Sequence, residues 1–238
     1  MYTILKHSIT AYKISEKLLM EQLYPVLPLR NFVMFPGLLT TIQTSDPYVG
    51  RLVQELSKHG NQFLVSLMIK DDEYFYQTAC LVLMEELETL ENGTYQLTIR
   101  GLEKFFVDHC PSNEPVMVGQ GKIIRDYLMD EDQIREDSMR LSKLIKRYIF
   151  LTQVKPEAML QAVSFITDPS ILSNFCCHYF LESPYDKQEY LQILNINRRL
   201  QKVAGSLEEL VEDKIKEHSQ AAQFYWFISH KQDILHRK

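Results

Sequence analysis

Two periodicities divide this chain. From about residue 24 to residue 125, apolar and polar residues alternate in short runs bounded by Gly, Pro, Asn and Asp, the pattern of half-buried strands. The runs predict strands near 24–29, 37–44, 62–69, 75–86, 94–100, 102–109 and 115–125. Between the second and third, Asp46-Pro47 opens a predicted helix through Leu56, because Asp caps free amides and Pro fits a first turn that needs no donor. Asn92-Gly93 predicts a two-residue hairpin of type I′, a turn that requires positive φ at both central positions. Together these elements predict a small mixed β-barrel with one helix inserted.

From Asp130 the alternation stops, and Ile134, Leu141, Ile145 and Ile149 fall at helical spacing. Lys155-Pro156, Asp168-Pro169 and Ser183-Pro184 each place a proline where it starts a helix rather than interrupting one. Leu200, Val203, Leu207 and Leu210 continue at three- and four-residue steps through Tyr225 and Ile228, predicting a helix from Asn197 to Leu235. Such a helix would be about 60 Å long. Gly205 followed by Ser206-Leu207-Glu208-Glu209 also has the form of a helix end and a capping box, so a bend there is the alternative to an unbroken rod. Ahead of the strands, Ile14, Leu18 and Leu19 fit a short amphipathic helix. The expected organisation is α+β: an extension over 1–23, a β lobe over 24–128, and an all-helical lobe over 129–238 that ends in a long helix.

Two segments carry more than periodicity. Pro25 to Gly37 reads as a short strand, Arg30 in a turn, and a second apolar stretch closed by Pro36-Gly37, with Pro28 and Pro36 fixing φ and removing donors. Asn92 to Phe105 reads as a hairpin turn, an alternating strand and then Gly101. Both segments resemble the amino-terminal domain of the Lon family of ATP-dependent proteases, on Pro28, Arg30, Pro36, Gly37, Asn92, Gly93 and Gly101. Weaker similarity at Asp168-Pro169-Ser170 and over Leu194–Leu200 extends it to at least residue 200.

The resemblance implies a PUA-like β fold followed by a helical part, used to bind substrate proteins and to assist assembly. The family's ATPase and Ser-Lys protease modules lie carboxy-terminal to the region matched, so they are not expected within these 238 residues. The chain departs from the family pattern at Thr41–Asp46, at Ala79 where glycine is common, and at Lys104 where arginine is frequent. These departures and the aromatic carboxy-terminal run favour a stand-alone relative, an adaptor or regulator of proteolysis, over a cut fragment.

Composition narrows the chemistry. With 238 residues, 45% of them hydrophobic, the chain can bury a core, and a net charge of −5 argues against a surface built to grip phosphate backbones. No apolar run approaches the roughly 20 residues of a membrane span, and the amino terminus lacks a signal-peptide core. A cytoplasmic protein with no membrane partner is expected. Cys80, Cys110, Cys176 and Cys177 show no C-x-x-C spacing, so no disulfide framework is expected; Cys176-Cys177-His178 points in diverging directions on a helix, cannot converge on a metal, and is expected to supply core cysteines. None of the eight glycines precedes the Lys-Ser or Lys-Thr of a phosphate-binding loop, and the seven histidines lack metal-ligand spacing. No catalytic residue, cofactor or metal is expected, and the chain is not expected to be an enzyme.

What remains is recognition of client or partner proteins. Candidate contacts are Phe32, Met34 and Phe35 in the first motif, and Tyr74, Phe75 and Tyr76 after an acidic loop. Phe224, Tyr225, Trp226 and Phe227 form the other candidate. Consecutive large residues encircle a helix, so one packing face cannot bury them all, and some are expected to meet a second surface: another helix of this chain, a partner, or a second subunit in a homo-oligomer through the carboxy-terminal helix. Two alternatives belong to other classes: an oligomerisation module, or an RNA-binding PUA-like protein using Lys143, Lys146 and Arg147, or Arg198, Arg199 and Lys202. Nucleic acid is not the expected partner.

Overall fold

The computed structural model describes residues 22–69, 75–152 and 156–235, the stretch 221–235 by its backbone only. They divide into two compact units. The first comprises the residues up to Arg125 together with Glu182–Leu194, the second Asp126–Leu181 and the chain from Asn195 onward.

The first unit holds six strands: β1 (Gln22–Leu29), β2 (Leu39–Thr44), β3 (Gln62–Leu67), β4 (Thr78–Thr89), β5 (Tyr95–Ser112) and β6 (Val118–Ile124). Their order is β2-β5-β4-β3-β1-β6, and β5 also pairs with β6. Five strands therefore close into a ring, and β2 is left outside it as an edge. Only β1 and β3 run parallel, Val26 opposite Leu64. A parallel pair needs a crossover. Helix α1 (Pro47–Leu56) lies in it, capped by Asp46, whose carboxylate accepts from the Tyr48 amide at 2.8 Å. Inside the ring, Val26, Leu64, Ala79, Leu81, Phe105 and Val107 form one buried cluster, and Tyr24 meets Phe105 edge-on with ring centroids 5.6 Å apart.

Two predictions about this unit change. The strands expected at 94–100 and 102–109 are one element, because β5 runs through Gly101 and changes neighbours there from β2 to β6. A Cβ on Gly101 would lie 2.1 Å from the Phe35 carbonyl oxygen. Glycine is required by this close backbone approach, which also lets Gly101 donate to Leu38 O and accept from Gly37 N. The Asn92-Gly93 turn is not type I′. Positive φ falls on Gly93 (80°) and not on Asn92; Gly93 donates to Leu90 O while Leu90 donates to Thr94 O. This is a three-residue loop closed by a glycine bulge, with the Asn92 carboxamide accepting from the Thr94 amide.

The second unit contains α2 (Glu131–Thr152), α3 (Pro156–Phe165), α4 (Pro169–Phe180) and, after α5 (Pro184–Gln192), α6 (Ile196–Leu235). Pro156, Pro169 and Pro184 each open a helix as the sequence predicts. Asp168 accepts from the amides of Ser170 and Ile171, and Ser183 from that of Asp186. Helix α6 passes through Gly205 without a break. Helix α5 belongs to the first unit, although its sequence reads as part of the helical lobe. Buried polar groups explain this: Gln188 Nε2 donates to Thr78 O of β4 at 2.8 Å, and Lys104 of β5, 2% exposed, donates to Ile193 O at 3.0 Å.

Within the second unit, Arg199 is fully buried. Its guanidinium forks onto the Asp126 carboxylate and also reaches Ser173 Oγ (2.9 Å) and Ser170 Oγ (2.7 Å). Ser170 in turn donates to Asp126 at 2.7 Å. The Asp168-Pro169-Ser170 and Leu194–Leu200 segments, far apart in sequence, thus meet in one network. Asn197 adds a second tie, accepting from the amides of Met129 and Asp130 and donating to Asp130 O.

Candidate functional site

The first motif builds a groove. After β1, Asn31 takes a left-handed conformation (φ 57°) and Gly37 another (φ 80°), and the loop between them turns Val33, Met34 and Phe35 into the core. Met34 and Phe35 are completely buried, so of the three apolar candidates in this loop only half-buried Phe32 has surface to offer. Burial of each side chain contributes about 1.5–3 kcal/mol, which anchors the loop. Phe32 lines a groove of about 580 Å³, within the range of ligand sites.

One wall of the groove is the end of β1, Pro28 and Leu29, followed by Arg30. The other is β2, through Thr41, Ile42, Gln43 and Thr44, and Asp46 and Met68 complete it. Phe32, Ile42, Leu29 and Met68 are half-buried, whereas Arg30, Thr41, Gln43 and Asp46 are exposed, so an apolar floor carries a polar rim. Cross-strand contacts hold the rim: Gln43 Nε2 donates to Gln96 Oε1 at 2.7 Å, and the Thr41 and Thr98 hydroxyls lie 3.3 Å apart. Behind the β1 wall, Tyr48 donates from its hydroxyl to Val26 O (2.6 Å) and accepts from the Met117 amide (3.0 Å). Burial raises the Tyr48 phenol above its ordinary value, which keeps this brace neutral.

The other sequence candidates fall elsewhere. Phe75 and Tyr76 are half-buried. Phe75 packs on the barrel cluster and its backbone pairs with that of Met68, and the Tyr76 amide donates to Leu67 O while its carbonyl accepts from the Ser66 hydroxyl. Tyr74 and the side chains of Phe224, Tyr225, Trp226 and Phe227 lie outside the described residues. The RNA face through Arg198, Arg199 and Lys202 is corrected: Arg199 is 0% exposed and spent on Asp126, leaving it no phosphate to meet. Sequence reasoning passed over Ile42, Thr41, Gln43 and Met68. The signal available was the composition of Leu39–Thr44, a strand rich in Thr and without a single charge, proline or glycine. It also passed over Phe150 and Phe165, which are 78% and 82% exposed on α2 and α3.

Cys176 and Cys177 are buried as expected, Cys80 is buried as well, and Cys110 is only half-buried. Desolvation raises the Cys80 and Cys176 thiols far above their ordinary range and so keeps them protonated. No described helix is long and apolar enough to cross a membrane.

This fold, a small closed barrel with an outlying edge strand followed in the chain by helices, has counterparts among solved structures. The solved amino-terminal domain of a Mycobacterium avium complex Lon protease superposes with a TM-score of 0.67 at 15% identity, over 79% of this chain and 98% of that one. The Lon amino-terminal domain protein of Xanthomonas campestris gives 0.56 at 17% identity, over 77% and 98%. In sequence, the family model described as the ATP-dependent protease La (LON) substrate-binding domain matches residues 23–209. The chain belongs to that family. Curated relatives include Lon protease 1 of Hydrogenovibrio crunogenus, 25% identical over 90% of this chain, and Lon protease 2 of Desulfotalea psychrophila, 22% identical over 89%. The alignments span 28% and 29% of those two proteins, so this chain corresponds to under a third of each.

Proposed function

We propose that this chain is a non-enzymatic recognition module that takes hold of apolar segments of client proteins through the groove between β1 and β2. The observation that carries the reading is the groove itself, an apolar floor of Phe32, Ile42 and Met68 under an uncharged strand, in a family described by substrate binding. It acts in the cytoplasm, delivering or withholding clients as an adaptor or regulator of proteolysis.

The test uses reduced, carboxymethylated α-lactalbumin, a polypeptide that cannot refold, with binding read by fluorescence anisotropy. Phe32→Ser and Ile42→Asp should each weaken binding by about tenfold or more, since one removes the floor and the other puts a charge into it. Circular dichroism should show both variants folded. Equal binding by folded variants and parent would remove the groove from the reading.

The aromatic run on α6 supplies a second contact. Phe224, Tyr225, Trp226 and Phe227 are consecutive large residues in the sequence, more than one helix face can bury, which supports a partner or a second copy as the surface that covers the rest. Trp226→Ala should lower the sedimentation coefficient of any assembly while the barrel stays folded; unchanged sedimentation and partner binding would count against this role.

A further inference from the structure

We infer that the client segment enters the groove as an extended strand that adds to the outer edge of β2, so that main-chain hydrogen bonds, rather than a side-chain code, hold it. This rests on the reading of the groove as the client site and specifies its substrate class: uncharged, proline-free stretches of unfolded polypeptide.

The hydrogen-bond register shows which groups are on offer. Gly101 of β5 bonds to Leu38 and Gly37, and antiparallel pairs alternate between bonded and non-bonded residues. From that start, with Thr40 opposite Ile99, Ile42 opposite Leu97 and Thr44 opposite Tyr95, those three residues of β2 point their amides and carbonyls at β5. Leu39, Thr41 and Gln43 therefore point theirs outward, three donors and three acceptors along one edge. Among the described residues this edge has no strand partner.

The groove runs along that edge. Four consecutive residues of β2, Thr41 to Thr44, line it. Neighbouring side chains alternate between faces, so a space touching all four lies edge-on to the strand. The facing wall cannot serve as the template. Pro28 has no amide hydrogen, the Val26 carbonyl is taken by Tyr48, and Leu29 O accepts from the Met68 amide on the β3 side.

Edge strands in folded proteins are commonly blunted by lysine, proline or a bulge. Leu-Thr-Thr-Ile-Gln-Thr has none of these, and its register with β5 is unbroken over Leu39–Thr44. An uncharged open edge beside an apolar floor is complementary to one kind of occupant, an extended backbone with apolar side chains on alternate residues.

The experiment begins with ten-residue peptides tiled across carboxymethylated α-lactalbumin and takes the tightest binder as the probe. That peptide is then resynthesised with single N-methyl groups. Methylation at every second position should weaken binding by about tenfold, and methylation at the positions between should not, because a paired strand turns alternate amides to its template. Thr41→Pro removes one outward donor and leaves the bonds to β5, so a folded variant should lose a similar factor. Amide exchange at Leu39, Thr41 and Gln43 should slow when peptide is added. If Ile42→Asp abolishes binding but methylation has no alternating effect, the groove reading survives and strand addition is overturned. Absence of any binding by the parent protein overturns both. Slow exchange at the three amides without peptide, together with a doubled mass, would assign the edge to a second copy and overturn the client inference.

Discussion

At the scale of single residues, Gly101 and Gly205 look alike in the sequence and are opposites in the structure. A methyl group on Gly101 would strike the Phe35 carbonyl, a backbone atom in a loop whose next-door side chains are fully buried, and nothing there can yield cheaply. On Gly205 it would meet nothing within 4 Å, in the middle of α6. Gly101→Ala should therefore destabilise by several kcal/mol, about 2–4, whereas Gly205→Ala should stabilise by about 0.5–1 kcal/mol. Urea denaturation of both variants checks the pair, and equal shifts would refute the contrast. Both glycines are visible in the sequence. Only the distance to Phe35 tells them apart.

At the scale of elements, local chemistry read well wherever it was self-contained. Asp46-Pro47, Asp168-Pro169 and Ser183-Pro184 each carry a cap and a first-turn proline side by side, and each begins a helix as predicted. Reading failed where an element is defined by a neighbour. β5 is one strand because β4 runs beside both its halves, and Asn92 keeps negative φ because the loop closes through a bulge to Thr94. The association of α4 with α6 is likewise invisible locally, since it rests on Asp126, Ser170, Ser173 and Arg199, separated by up to 73 positions. Asp126→Asn leaves a buried guanidinium without its counter-charge and should cost about 3–5 kcal/mol in the second unit, read by chemical denaturation. A loss below 1 kcal/mol would mean that the serines alone satisfy Arg199.

At the scale of the whole molecule, both units bury thiols, Cys80 in the first and Cys176 in the second, and both thiols are raised by desolvation from an ordinary value of 9.0. Below pH 9 the native and unfolded states hold these protons equally, so stability does not depend on them. Above it the unfolded chain releases protons that the native chain retains, so stability must fall as pH rises, by up to about 1.4 kcal/mol per unit for each thiol. Urea denaturation from pH 8 to 10 should show the decline, and Cys80→Ala with Cys176→Ala should make it shallower, the remainder belonging to Cys110, Tyr24 and Tyr48, which burial also raises. A slope unchanged by both substitutions would assign it to other groups.

The sequence by itself determined the class of fold, the helix starts and the family, because caps, prolines and alternation act within a few residues and are written in the chain where they act. It also held the first motif that builds the groove. Tertiary structure alone decided which apolar residues of that motif are buried, that Arg199 is spent on Asp126, that α5 belongs with the strands, and that β2 is the strand left outside the ring. Each of these depends on what lies across from a residue in space, which a linear pattern of apolar and polar positions does not encode.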